Sequence, residues 1–263
     1  MSGEESQLSA EQRRDALKEV FAQAQSCVRC ADLAATRKTV VFGAGNADAD
    51  LMFVGEAPGA SEDEQGLPFV GAAGKLLNKL LEEIGLQRAD VFICNVLKCH
   101  PPGNRDPQPI EIENCREYLY RQVELIQPRV ICTLGNFSTK LLREDPTGIT
   151  RLHGQPEVLA VGRRAVRLYP IFHPAAALYT PRMLETLRED FKRLPEMLAL
   201  PAPDQPQWLE VPEPAEPEES PAPSGSRAAR EPEESLAPSG SGAPSGAGPT
   251  AEPVAEVDQL GLF

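Results

Sequence analysis

The feature that most constrains the fold is the stretch from Leu51 to Leu81, LMFVGEAPGASEDEQGLPFVGAAGKLLNKLL. A short apolar run breaks at Gly55 and Pro58 into a loop with four acidic residues, and apolar residues then resume at helical spacing. This order predicts a buried parallel strand, a loop and a helix that packs on the sheet. Ligands bind beyond the C-terminal ends of strands in open parallel sheets, so the loop is a candidate site. The alternative is a crossover loop whose glycines only permit tight turns.

Three more apolar runs carry a strand signal: 91–94, 129–134 and a hairpin over 157–172. The strands expected to be parallel end at Gly55-Glu56, Asn95, Gly135-Asn136 and His173. A parallel sheet brings these ends to one edge. We therefore predict an α/β fold, a three-layer αβα arrangement with a central four-stranded, mainly parallel sheet.

Four helices are predicted outside the opening stretch, one of them a short helix after Gly135-Asn136 and the other three as follows. Ser9 and Gln12 form a capping-box pattern at the start of the first helix. Pro109 starts the second, which has apolar residues at helical spacing, and the third runs from Leu184 to Leu198.

The composition divides the chain at residue 200. From Pro201 onward there are 13 of the 26 prolines, with 12 acidic and 2 basic residues, so this part carries most of the net charge of −13. It repeats EPEESPAPSGS as EPEESLAPSGS, a composition that cannot bury enough apolar surface to order itself. We predict a folded domain over 1–200, a disordered linker over 201–258 and a short terminal peptide over 259–263. The acidic balance therefore does not argue against a nucleic-acid-binding domain.

We also expect a cytoplasmic monomer. No apolar run approaches 18 residues, and the N-terminus carries Glu4 and Glu5 where a secretory signal would be apolar. In that compartment cysteines are more often thiols or metal ligands than disulfides.

Four cysteines form a candidate metal-binding set: Cys27, Cys30, Cys99 and Cys115. Four thiolates can bind an iron–sulfur cluster or a zinc ion, and the spacing alone does not choose between them. The Cys-x-x-Cys pair could instead be two core residues or a redox dithiol. The redox motif needs a preceding strand and a helix starting within it, and we expect the reverse order here.

The two remaining cysteines, Cys94 and Cys132, fall inside apolar strands. We interpret both as small core residues.

Three motifs, GEAPGASEDEQGLPFVGAAGKLL, NVLKCHPPGNRDP and HPAAAL, give this chain a clear likeness. In this order the sequence resembles family 4 uracil-DNA glycosylases, the bacterial and archaeal type that carries a [4Fe–4S] cluster, over about Cys27 to Leu198. The resemblance implies that the four cysteines named above are the cluster ligands, and that the cluster is structural because glycosidic hydrolysis moves no electrons.

The resemblance also implies roles for three strand-end residues. Such an enzyme flips a uracil nucleotide out of DNA and cleaves its glycosidic bond, leaving an abasic site. Phe69 would stack on the base, the Asn95 amide would bind its N3–H and O4, and His173 would donate to O2 as negative charge develops there. Taken singly, each could instead be structural: a core phenylalanine, a turn cap and a strand-end histidine.

Four further residues fall at pocket positions of the family: Glu56, Ala57, Glu62 and Asn104. Other uracil glycosylases have an aspartate at the position of Ala57, so the group that activates water is left open between Glu56, Glu62 and neither. We expect Ala at Glu56 to be less damaging than Ala at Asn95 or His173. Asn104 either holds the loop or a phosphate, or is only a turn residue.

The loop after His173 departs from the related enzymes. These often place a bulky apolar residue where this chain has Ala177, so either Leu178 fills the gap left by the flipped base or the filling is weak. Arg182 is a reasonable phosphate contact.

The last five residues, Gln259–Phe263 (QLGLF), resemble the pentapeptide that docks bacterial repair proteins on the β sliding clamp. A tether of about 60 residues reaches on the order of 45 Å. The expected partners are therefore uracil-containing DNA and this clamp.

Two other functions stay open. One is a non-catalytic metal-cluster DNA-binding module. The other is a related glycosylase that traps its abasic product covalently, for which His100 is the nearest nucleophile although the basic insertion expected of that type is absent.

Overall fold

The computed structural model describes residues 8–206. Helices and strands are interspersed along this part of the chain. In order they are α1 (Ala10–Gln25), α2 (Ala31–Thr36), β1 (Ala44–Gly45), β2 (Leu51–Gly55), α3 (Ala60–Gln65), α4 (Ala72–Glu83), β3 (Phe92–Asn95), α5 (Pro109–Ile126), β4 (Val130–Leu134), α6 (Asn136–Arg143), α7 (Ile149–Leu152), β5 (Glu157–Val161), β6 (Arg164–Ile171), α8 (Pro174–Ala177), α9 (Pro181–Lys192) and α10 (Leu194–Ala199). The predicted linker beyond residue 206 and the peptide Gln259–Phe263 lie outside the described residues.

The strands form one sheet in the order β1-β3-β2-β4-β6-β5. The four central strands β3, β2, β4 and β6 are parallel, which confirms the predicted α/β fold. Two antiparallel edge strands widen this sheet to six. β5 is the expected hairpin partner of β6, whereas β1 has two residues, too few for any alternation in the sequence to indicate it.

Apolar clusters cover both faces of the sheet and give the predicted three layers. Along β2, Met52 and Val54 point to the cluster under α1 and α5, and Leu51 and Phe53 point to the cluster under α4 and α9. This alternation follows from the two-residue period of a strand. Cys94 and Cys132 are fully buried in these clusters, as expected for core residues.

The helix signals near the N-terminus are confirmed. Ser9 Oγ accepts from the backbone N–H of Gln12, and Gln12 Oε1 accepts from the N–H of Ser9. The prediction of one continuous helix over Leu184–Leu198 was wrong. The chain breaks between α9 and α10 because Pro195 cannot donate a helical hydrogen bond and clashes with the preceding turn.

No helix within residues 8–206 is long and apolar enough to span a membrane.

Candidate active site and cysteine pocket

The C-terminal ends of the central strands enclose a cleft of about 360 Å³. Gly55 and Asn95 are paired in register at the ends of β2 and β3, and His173 follows β6. The cleft is lined by Glu56, Ala57, Gly59, Glu62, Phe69, Ala73, Asn95, Asn104, His173 and Ala175. The structure therefore brings all the predicted pocket residues to one edge of the sheet.

Asn95 presents an unpaired acceptor to this cleft. The residue is 2% exposed, and no hydrogen-bond donor among the described residues reaches its Oδ1 atom. A Cβ atom at Gly55 would lie 2.4 Å from that oxygen, so only glycine leaves it room. A buried polar atom without a partner costs about 1–3 kcal/mol, and a ligand that donates a hydrogen bond to Oδ1 would recover that cost.

Phe69 has an uncommon backbone conformation. Its φ is +51°, in the left-handed region that a bulky residue rarely adopts. A Cβ atom at Gly74 would lie 1.7 Å from the Phe69 carbonyl oxygen, and one at Gly55 would lie 2.6 Å from Phe69 Cζ. The ring centroid is 5.6 Å from that of His173, with 29° between the planes. Two glycines thus allow the ring to lie beside both Asn95 and His173.

His173 is the N-cap residue of α8. Its Nδ1 accepts from the backbone N–H of Ala175 at 3.1 Å, so in the neutral ring the proton is on Nε2. Burial disfavours the charged imidazolium and lowers the pKa of His173 to about 4, and the charge of Glu62 only partly opposes this effect. His173 is therefore a neutral hydrogen-bond donor at physiological pH.

The two carboxylates of the cleft differ in their contacts. Glu62 Oε1 accepts from the backbone N–H groups of Val70 and Gly71, at 2.9 and 3.0 Å. Glu62 therefore holds the loop that carries Phe69. Glu56 is half-buried, and burial together with the charge of Asp106 raises its pKa.

Asn104 lies at the outer rim of the cleft. It has a left-handed backbone, with φ +55°, and its Oδ1 is 2.9 Å from Nε2 of His100. The side chain is exposed and links two residues of the turn after β3.

The loop after His173 exposes a residue that the sequence reasoning missed. Ala177 is buried and Leu178 is half-buried, but Tyr179 is 91% exposed. Arg182 is also exposed. The signal for Tyr179 was present as a single aromatic residue among small ones in PAAALYTP.

A second pocket, of about 20 Å³, is lined by all four cysteines of the candidate metal set. Cys27 and Cys30 lie between α1 and α2, so a helix does begin directly after the motif, but the element directly before it is also a helix and not a strand. Three N–H groups donate to sulfur: Arg37 Nη1 to Cys99 at 3.2 Å, Lys98 N to Cys115 at 3.3 Å and Asn114 Nδ2 to Cys30 at 3.5 Å.

Such donors stabilise metal-bound thiolates, so the residues present fit a group bound by four cysteines. Burial raises the pKa of Cys115 to about 12, which a cation in the pocket would reverse. Within residues 8–206, no three His, Cys, Asp or Glu side chains converge closely enough to hold a single metal ion.

Lys98 joins the two pockets, and the sequence reasoning missed it. The side chain is 1% exposed, and its Nζ donates to the carbonyl of Asn95 at 2.8 Å and to Gln122 Oε1 at 2.6 Å. Its own backbone N–H donates to Cys115. A lysine directly after the apolar pair Val96-Leu97, just beyond the strand, was the available signal.

Sequence comparisons with known proteins show which family this chain belongs to. The sequence model of the Uracil DNA glycosylase superfamily matches residues 42–197. The type-4 uracil-DNA glycosylase of Sulfurisphaera tokodaii is 45% identical over 192 residues, which cover 71% of this chain and 87% of that protein. That of Archaeoglobus fulgidus is 46% identical over 187 residues, covering 70% and 94%. That of Saccharolobus solfataricus is 45% identical over 182 residues, covering 67% and 84%. The chain thus belongs to the uracil-DNA glycosylase superfamily, within it to the type-4 group.

Proposed function

We propose that this chain flips uracil out of DNA and hydrolyses its N-glycosidic bond, leaving an abasic site for base excision repair in the cytoplasm. The observation that carries the proposal is the buried, unpaired Asn95 Oδ1 in the cleft that Phe69 and His173 also line. Uracil N3–H is a donor of the kind that this acceptor needs.

Asn95 provides the base specificity. Its Oδ1 accepts from N3–H and its Nδ2 donates to O4, while Phe69 stacks on the ring face. Cytosine presents an acceptor at N3 and a donor at N4. It would leave both groups of the Asn95 amide unpaired, so the site favours uracil.

His173 stabilises the leaving group. As the C1′–N1 bond breaks, its electron pair passes to the uracil ring and negative charge grows on O2. The Nε2–H group of His173 donates to that oxygen. Water oxygen then bonds to C1′ of the cation-like sugar, and its proton is released to solvent or to the departing base.

The other cleft residues support this reaction. Glu62 holds the Phe69 loop, and its charge together with that of Glu56 stabilises the cation-like sugar. Ala57 leaves space beside the base. Asn104 holds the rim of the cleft through His100.

DNA contacts follow from the exposed loop after His173. Because Ala177 is buried, Leu178 and Tyr179 are the side chains available to fill the space left by the flipped base. Arg182 would contact a phosphate.

Cys27, Cys30, Cys99 and Cys115 would hold a [4Fe–4S] cluster. Bound there, the cluster supplies a cross-link between the N-terminal helices, the loop after β3 and α5, and no redox step is required. The N–H donors of Arg37, Lys98 and Asn114 would stabilise its thiolates.

Gln259–Phe263 would dock this monomeric enzyme on the β sliding clamp and raise its concentration near newly synthesised DNA. Deletion of these residues should leave excision from short oligonucleotides unchanged and abolish clamp capture in a pull-down. Capture that persists in the deletion variant would refute the docking.

The enzymatic proposal is tested with uracil-containing single-stranded and duplex oligonucleotides, followed by alkali and a denaturing gel. Strand breaks at the uracil support the proposal. Intact strands would favour a non-catalytic binder. A shifted protein–DNA band would favour a covalent trap, in which case His100→Ala should remove the shift.

A further inference from the structure

Arg88 is a cation beside the site to which the reaction above gives no role. It lies in the short turn Arg88–Asp90 between α4 and β3. Its Nη1 donates to the backbone carbonyl of Phe69 at 3.2 Å, and its Nη2 donates to the carbonyl of Pro68. Nη1 also lies 3.4 Å from Asn78 Oδ1 on α4. Arg88 thereby ties the Phe69 loop to the helix that follows it.

The same loop is held from its other side by Glu62. The carboxylate accepts from the N–H groups of Val70 and Gly71. Four consecutive residues, 68–71, are therefore held by two charged side chains, with the guanidinium on two carbonyls and the carboxylate on two amides. We call this arrangement the loop clamp.

The conformation of Phe69 explains why a clamp is needed. A φ of +51° is disfavoured for a bulky L residue, and such a conformation persists only where the surroundings impose it. A relaxed loop would turn the ring away from Gly55 and Asn95. Arg88 donates to backbone carbonyl oxygens. No carboxylate within residues 8–206 forms a salt bridge with it. Burial lowers the pKa of Arg88, and Glu62 partly offsets this effect.

We propose that Arg88 is a positioning residue for base stacking, which fixes Phe69 in its left-handed conformation before uracil enters the cleft. The effect on catalysis rests on the proposed glycosylase function, whereas the effect on the loop does not. A planar guanidinium can donate to two adjacent carbonyls at once, which a lysine ammonium on a flexible stem does less well.

A double-mutant cycle tests the catalytic part. Single-turnover excision rates are measured for the wild type, Arg88→Ala, Phe69→Ala and the double variant. We expect Arg88→Ala to slow excision about 10- to 100-fold with affinity for abasic-site DNA unchanged. In the Phe69→Ala background the same substitution should change the excision rate less than threefold, because the ring that Arg88 positions is absent. Losses that multiply, or an unchanged rate in Arg88→Ala, would overturn the proposal.

Arg167→Ala is the matched control. Arg167 is also half-buried and donates to two backbone carbonyls, those of Met197 and Pro201, but it does not line the cleft. Its loss should leave the excision rate within twofold of wild type. If Arg88→Ala fails to fold, Arg88→Lys is used in its place and should give an intermediate rate.

Limited proteolysis tests the loop without any catalysis. Phe69 is 6% exposed, so chymotrypsin can cut after it only when the loop opens. Cleavage at Phe69, measured by mass spectrometry, should be at least tenfold faster in Arg88→Ala than in the wild type or Arg167→Ala. Equal cleavage rates in the three proteins would refute the loop clamp. If the wild type excised no uracil, the proposed function would fail while this comparison still decided the role of Arg88.

Discussion

The cleft and the cysteine pocket both adjoin the chain at or just after the end of β3, and they differ in how they are built. The cleft is open, about 360 Å³ in volume, and contains an unpaired Asn95 oxygen and a strained Phe69. The cysteine pocket is about 20 Å³, and the sulfur atoms of Cys30, Cys99 and Cys115 already accept hydrogen bonds. The cleft thus carries two unfavourable features that a bound ligand can relieve, and the other pocket is suited to holding elements together.

Lys98 connects the cleft to the cysteine pocket. One residue contacts Asn95 through its ammonium and Cys115 through its backbone, so the two pockets share a buried link. Their separate roles can be tested by removing one side at a time.

The largest expected effect is on the cleft side. Asn95→Ala and His173→Ala should each slow excision about 100- to 1,000-fold, the usual cost of removing one preorganised hydrogen bond to a reacting group. Single-turnover assays on a uracil oligonucleotide measure this. Asn136→Ala is the control, since Asn136 also follows a parallel strand but its Oδ1 already accepts from Ile149. Comparable losses in the control would show that strand-end asparagines act through folding alone.

On the pocket side, Cys99→Ala should abolish the brown colour and bound iron and lower the melting temperature by roughly 10 °C, as expected for a loss of about 4 kcal/mol. Excision should fall with it. Cys132→Ala, at a buried cysteine outside the pocket, should keep the iron. A colourless, zinc-containing and active wild-type protein would contradict the iron assignment.

Substitution of Lys98, which links the two pockets, should have an intermediate effect. Lys98→Met removes two charged hydrogen bonds, each worth about 1.5–3 kcal/mol, and leaves the Asn95 carbonyl and Gln122 without their donor. We expect a stability loss in urea unfolding and an excision rate about tenfold lower, with iron content retained. An unchanged rate in the folded variant would mean that the two pockets act independently.

Glu56→Ala should have a smaller effect, less than tenfold on the single-turnover rate, because a cation-like sugar needs little activation of water. Glu64→Ala, which removes an exposed carboxylate paired with Lys38, is the reference. A loss at Glu56 larger than that at Asn95 would identify it as an essential base.

The smallest effect concerns pH. Because the pKa of His173 is about 4, the ring stays neutral as pH falls from 8 to 5.5, and the excision rate should change less than threefold. The rate should fall nearer pH 4, when protonation of Nδ1 displaces the Ala175 N–H. Circular dichroism checks that the protein remains folded. A decline centred near pH 6.5 would contradict the lowered pKa.

Much of the fold followed from the sequence because its signals are local. The apolar run 51–54, the capping box at Ser9 and the turn with Gly55 and Pro58 after β2 each depend on neighbours in the chain. The sequence did not predict the two-residue β1 or the break at Pro195. β1 is too short to show a repeating hydrophobic pattern. The pocket residues were named through motif resemblance, and the parallel sheet explains why distant motifs meet.

The sequence by itself determined which side chains reach the strand ends, since a buried parallel strand must deliver its next residues to one edge. Only the tertiary structure decided what those side chains do to one another. The unpaired oxygen of Asn95, the proton position on His173, the left-handed Phe69 and the contacts of Lys98 and Arg88 depend on atoms from segments far apart in the chain. Hydrogen-bond satisfaction and backbone strain are properties of a packed environment, and no local pattern contains them.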